Sequence, residues 1–139
     1  MEPKAPPTNS RVARVVADTV NNVIHTIKVA KIKYTICNYF GEHCQTATAI
    51  ATAESGLRTD AKGWNCMYGT ESKACRPEDR GRAWSVDCGV FQINFKGQEC
   101  PPESFDAQWN IEKAYEWKFK RSGWNPWSVF KNGSYLKYL

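Results

Sequence analysis

No apolar run in the sequence is long enough to cross a bilayer. The longest stretch without a charge lies between Glu42 and Glu54, and it is too short and too polar. An apolar segment near the start is also missing, so no secretory leader is visible. There is no C-x-x-C pair, and His25 and His43 are the only histidines, so a structural zinc site is not expected. Repeats are absent, and low complexity is confined to the first ten residues. As a class of chain, collagen-like, coiled-coil and membrane-spanning proteins are excluded by the composition. No basic cluster interleaved with aromatics forms a recognisable module, so nucleic acid is not an expected partner.

What remains is the material of one ordinary domain: 139 residues, 42% hydrophobic, 13% aromatic and 24% charged. The net charge of +5 is unevenly spread. Residues 1–33 hold six basic and two acidic groups, residues 34–112 seven and eleven, and residues 113–139 six and one. Two basic ends flank an acidic middle. The ends suit a polyanion, and the middle is where carboxylate chemistry should be sought.

Residues 1–10 hold three of the seven prolines and are expected to be a disordered arm. From Arg11 an apolar stripe recurs at spacings of three and four: Val12, Val16, Val20, Val23, Ile27, Ala30 and Tyr34. It predicts an amphipathic helix over residues 11–36, packed on the domain; a membrane-surface helix would want Trp or Phe anchors, which the stripe lacks. A second helix is predicted from Glu42 to Ser55, ended by Gly56 in the left-handed conformation. Residues 57–84 read as loop, punctuated by Gly63, Gly69, Pro77 and Gly81. The run SVDCGVFQINF alternates as a strand, and a third helix is predicted from Asp106 to Ser122 with Gly123 as its stop. The expected class is α+β, mainly helical, with a small β region.

Glu54 ends the second helix. The residues three, four and seven positions before it are Ala51, Ile50 and Ala47, so its carboxyl closes an apolar stripe. Burial there disfavours the ionised form, as a general acid at neutral pH requires; a helix-terminal glutamate reaching water is the plain alternative. If SVDCGVF is extended, Asp87, Gly89 and Phe91 project to one side as a wall for a sugar ring, with the amides of Gln92 and Asn94 close by. Alternatively, Asp87 belongs to a turn and the two amides are ordinary loop residues.

Taken together, ATAESG and SVDCGVFQIN resemble the paired signature of the lysozyme superfamily, which includes animal lysozymes and bacterial and phage lytic transglycosylases. FDAQWNIEKAYEW and SGWNPWSVFKNGSYLKYL are similar to the family's later segments, so the resemblance spans residues 37–139. It implies a lysozyme-like fold, with Glu54 as catalytic acid and Asp87 in the place of the second carboxylate. Ser55, Ser85, Gly89, Phe91, Gln92, Asn94 and Asn110 would bind the substrate in the cleft. The stretch between Glu54 and the cleft motif is long for the family and carries Cys66 and Cys75, which suggests an inserted loop. Trp124, Trp127 and Tyr135 are the favoured sugar platforms, since they lie in the irregular tail. Trp109, Tyr115, Trp117 and Phe119 read as core.

The implied activity is cleavage of the β-1,4 bond between N-acetylmuramic acid and N-acetylglucosamine, with peptidoglycan glycan strands as partner. No cofactor is expected, and a monomer is. An acid must protonate the leaving oxygen and a negative group must meet the developing oxocarbenium ion; this split between two carboxylates is the lysozymes' own pattern. The competing readings are lytic transglycosylation by Glu54 alone, with a 1,6-anhydro product, and a lysozyme-like binding module without turnover. Six cysteines permit fifteen pairings, of which the sequential one (Cys37–Cys44, Cys66–Cys75, Cys88–Cys100) closes only short loops. Disulfides imply an oxidising compartment, so a secreted, periplasmic or virion-associated protein is expected.

Overall fold

The structure, a computed structural model, describes residues 10–139. The arm expected over residues 1–10 lies outside the described residues except for Ser10. The Ser10 hydroxyl accepts a hydrogen bond from the Ala13 amide (3.1 Å) and so caps α1 (Arg11–Phe40). The chain divides into two units, one up to Lys31 and the other from Ile32 onward.

In the first unit the stripe predicted to pack is exposed: Val12 at 72%, Val16 at 56%, Val20 at 50%, Val23 at 54% and Ile27 at 50%. The residues of α1 that are buried follow a different line, Ile32, Ile36 and Phe40, all in the second unit and spaced by four. The helix also continues to Phe40, past the predicted end at residue 36. Periodicity identifies a face that could pack; it does not identify what covers it.

A 3₁₀ turn at Gly41–His43 leads into α2 (Cys44–Ser55), close to the predicted helix. Its core face is made of Ala47, Ile50, Ala51 and Ser55, and Gly56 (φ +64°) ends it as expected. Residues 57–84 depart from the predicted loop. They contain β1 (Lys62–Tyr68) and β2 (Glu71–Ala74), an antiparallel hairpin tied by Cys66–Cys75. Its outer strand is exposed throughout and rich in charge, which hid it from a search for apolar alternation.

The cleft motif departs from the single strand predicted for it. Its segment is a second hairpin, β3 (Ser85–Cys88) and β4 (Ile93–Lys96), and the four strands form one antiparallel sheet in the order β2-β1-β3-β4. The turn between β3 and β4 uses two left-handed residues, Gly89 (φ +76°) and Gln92 (φ +51°), and is closed by the Gln92 amide donating to the Gly89 carbonyl (3.1 Å). Asp87 therefore pairs across the ladder with Asn94, and Phe91 turns into the core.

The third predicted helix is present but composite. It consists of α3 (Ala107–Lys113), a π-helical stretch at Ala114–Phe119, and a last turn, α4 (Lys120–Ser122). Asp106 caps it through the Trp109 amide (2.8 Å), and Gly123 (φ +59°) follows it. A short α5 (Ser128–Lys131) and a 3₁₀ turn at Ser134–Tyr138 close the chain.

One side of the core is an aromatic cluster centred on Phe40. Phe40 stacks on Phe91 (5.4 Å between centroids) and Trp124 (5.6 Å), and meets Tyr115 edge-on (5.3 Å). The sulfur atoms pair sequentially, as expected, with no free cysteine among the described residues.

Asn110 is fully buried and ties the β3–β4 turn to the turn at Ser104 through three hydrogen bonds. Its Nδ2 donates to the carbonyls of Cys88 (2.9 Å) and Ser104 (3.0 Å), and its Oδ1 accepts from the Phe91 amide (2.8 Å). Gly89 permits this: a Cβ there would fall inside the contact distance of both Asn110 Nδ2 and the Ser104 carbonyl. Gly89→Ala is expected to cost about 2–5 kcal/mol, from overpacking together with an alanine forced to positive φ. Urea denaturation of the two proteins checks this, and an unchanged midpoint would contradict it.

Candidate active site

Glu54 occupies the last turn of α2, one residue before Ser55. The Ser55 hydroxyl lies 2.7 Å from the Val90 carbonyl and 3.1 Å from that of Ala51. The shorter of these bonds fastens the end of α2 to the β3–β4 turn, 35 residues away in sequence. The turn is fastened on its other side by Asn110 and by Trp127, whose indole Nε1 donates to the Phe91 carbonyl (3.1 Å). A helix end and a hairpin are thus locked together, which brings Glu54 and Asp87 to one cavity.

That cavity has a volume of about 250 Å³. Glu54, Asp87, Phe91, Gln92, Ile93, Asn94, Lys118, Pro126, Trp127 and Ser128 line it. The two carboxylates sit in contrasting surroundings. Burial, and after it the negative charge of Asp87, pushes the Glu54 carboxyl from its ordinary 4.5 up to about 7. Asp87 is half-buried and accepts a hydrogen bond on each oxygen: Oδ2 from Asn65 Nδ2 (3.0 Å) and Oδ1 from Asn94 Nδ2 (2.8 Å). Both carboxamides also donate to the Ser85 hydroxyl, at 3.0 Å each. Strand pairing explains this. Asn65 stands opposite Ser85 on β1, and Asn94 stands opposite Asp87 on β4. The result is one carboxyl that keeps its proton to neutral pH, facing another held in place by donors.

The residues expected at the cleft divide into three groups. Glu54, Asp87, Gln92, Asn94 and Trp127 line the cavity together, with Phe91 forming part of its floor as a core residue. Ser55, Ser85 and Asn110 are buried and do not line it; their polar atoms are engaged by protein groups. They hold the walls, as does Gly89 through its close approach to Asn110. Trp124 packs in the aromatic core against Phe40 and Phe119, and Tyr135 stacks on Phe130 (5.1 Å), so neither is among the lining residues. Gln92 spends its amide on the carbonyls of Gly89 (2.9 Å) and Ala61 (3.1 Å), which steadies its own strained backbone.

Sequence reasoning missed Asn65, Lys118, Ile93, Pro126 and Ser128. Asn65 was concealed by the loop expected over its strand, and only the strand pairing brings it to Asp87. Lys118 reaches the cavity from the π-helical stretch, a local register that apolar periodicity does not report. Among the described residues no group of three or more His, Cys, Asp or Glu side chains could hold a metal ion, and no helix is long and apolar enough to cross a membrane.

A family model described as a lysozyme like domain matches residues 34–129. No curated protein and no solved structure matches the chain. The matched span contains α2 with Glu54, the whole four-stranded sheet and the composite helix, and it covers well over half of the sequence. The chain belongs to the lysozyme-like domain family.

Proposed function

We propose that the chain is a lysozyme-type glycosidase that cleaves the β-1,4 bond between N-acetylmuramic acid and N-acetylglucosamine in peptidoglycan. Membership of the lysozyme-like family makes a peptidoglycan-acting enzyme the class of function. The observation that carries the finer reading is the pair of carboxyls in unlike surroundings at one cavity.

Glu54 is the general acid. Its proton is retained to about pH 7 and passes to the glycosidic oxygen as the bond to the anomeric carbon breaks. Asp87 meets the positive charge that develops at that carbon. Its two carboxamide donors fix its direction. Water then adds at the anomeric carbon, and Glu54, now ionised, takes up its proton. Trp127 and Asn94 border the same cavity and supply an apolar face and an amide for sugar hydroxyls and acetamido groups. The basic flanks of the sequence, +4 over residues 1–33 and +5 over residues 113–139, favour approach to an anionic wall. The three disulfides support an oxidising, extracellular or periplasmic setting.

Glu54→Gln is expected to lower the rate of wall lysis by about 100-fold or more, as measured by the clearing of cell-wall suspensions. Unchanged lysis would favour a binding module that acts without turnover. The same substitution has a signed effect on stability. The folded state holds the Glu54 proton more tightly than the unfolded chain does, so its contribution is present below pH 4.5 and lost as pH rises through about 7. Gln is neutral throughout. The variant should match the parent near pH 4 and exceed it above pH 7, by on the order of 2 kcal/mol. Thermal melts at the two pH values read this difference.

The digest itself distinguishes the two ways of completing the reaction. Mass spectrometry should find reducing-end muramic acid. A 1,6-anhydro product, lighter by one water, would instead assign ring closure to the substrate's own hydroxyl, with Glu54 as acid and then base. Asp87→Asn should reduce hydrolysis about 10-fold or more if its charge meets the oxocarbenium ion. Full activity in that variant would remove Asp87 from the mechanism.

A further inference from the structure

Residues 11–31 of α1 expose a narrow apolar seam. Ala13, Val16, Val20, Val23, Ile27 and Ala30 follow one another at spacings of three, four, three, four and three. That is a period of 3.5 residues, the repeat by which one helix stays in contact with another along a left-handed supercoil. The whole-chain composition speaks against a coiled-coil protein, yet this segment keeps the repeat over three heptads. Val16, Val20, Val23 and Ile27 are each at least half exposed.

Three observations bear on what covers the seam. Ten of the 21 residues are β-branched (six Val, two Ile, two Thr), which are poor helix formers, so the segment depends on side-chain packing to remain helical. Of the positions beside the seam, Val12, Ala17, Thr19, Ile24 and Thr26 carry no charge, and only Lys31, at its end, carries one. Thr19 and Thr26 give their hydroxyl protons to the carbonyls of Val15 (2.8 Å) and Asn22 (2.9 Å), four residues back on the same helix. The flanks are therefore fit to enter a dry contact. A lipid surface would call for several Lys or Arg beside the apolar face and for Trp or Phe on it; the seam has no Trp or Phe, and Lys31 at its end is the one cation beside it. Another copy of the chain presents the same period and the same neutral flanks from Val12 to Thr26, so that contact along them buries no charge.

Area and side-chain shape choose the number of copies. The seam runs about 27 Å and is about 10 Å wide, so two helices in contact cover roughly 540 Å² between them. A stable pair needs about 1,000 Å². With three helices the seam and its neutral flanks together face two neighbours, for roughly 1,600 Å² in all. β-branched residues at both seam positions, Val16 and Val23 in one and Val20 and Ile27 in the other, also favour more than two strands. We propose that the chain associates as a trimer through the Ala13–Ala30 seam of α1, in place of the monomer expected from the sequence.

Sedimentation equilibrium of the full chain tests this. The expected mass is three times that of one chain, 15.8 kDa. The double substitution Val20→Glu, Val23→Glu should lower it threefold to a single chain while preserving wall lysis and the thermal melt of the remaining fold. Val20→Ile should keep the trimer. A mass of one or two chains for the parent protein, or an unchanged mass for the double variant, would overturn the proposal. So would flotation of the parent protein with anionic phospholipid vesicles that the double variant abolishes.

Discussion

One carboxamide, shut away from water, underlies the geometry of the cavity. Asn110 uses both Nδ2 protons and its Oδ1 on backbone groups of the β3–β4 hairpin and the Ser104 turn. A buried amide left unbonded costs a few kcal/mol, so the network strongly favours the single arrangement that satisfies every member. That arrangement sets the hairpin turn, and the turn in turn orients everything attached to it. Asp87 lies on the strand before it, Asn94 on the strand after it, and Val90 within it receives the Ser55 hydroxyl that carries the end of α2. The distance in sequence between the two carboxylates is bridged by hydrogen bonds, and not by contact between the carboxylates themselves.

The contrast between those carboxylates follows from the elements that carry them. A helix ending against the core puts Glu54 at the edge of an apolar wall of Ala47, Ile50 and Ala51, where losing a proton is costly. An antiparallel ladder puts Asp87 among cross-strand neighbours, two of which are carboxamides. No separate device is needed to give the two groups unlike surroundings. The secondary structure does it.

Much of this was legible before any coordinates. The apolar residues at fixed offsets before Glu54, the Gly56 cap, the Gly123 stop and the short-range cysteine pairs all concern neighbours in sequence, where spacing alone constrains geometry. What stayed hidden depended on partners far along the chain. β1 and β2 lack clean alternation because one is an exposed edge and the other contains Gly63, so Asn65 had no visible reason to meet Asp87. The cleft motif looked like one strand because its alternation continues through the turn; the left-handed residues Gly89 and Gln92 that fold it back give only the glycine as a written sign. Phe91, read as a wall of the cleft, lines the cavity from within the core, stacked on Phe40 and against Trp127. The valine stripe was a true helical signal; its residues are exposed in the first unit, and the buried line of α1 is Ile32, Ile36 and Phe40 in the second.

The π-helical stretch at Ala114–Phe119 carries a consequence for how the protein tolerates change. In this stretch Tyr115 and Phe119 reach Phe40 in the core while Lys118, between them, reaches the cavity. A widened turn behaves as one residue added to a regular helix. Removing a single residue there would restore an ordinary α-helix and improve the local backbone, yet it would rotate every later side chain by about a hundred degrees. Trp124, Trp127 and Lys118 could not then all keep their places. The local irregularity is thus a form of phase information: the aromatic half of the core and one side of the cleft are read in the same register, and neither can be shifted without the other.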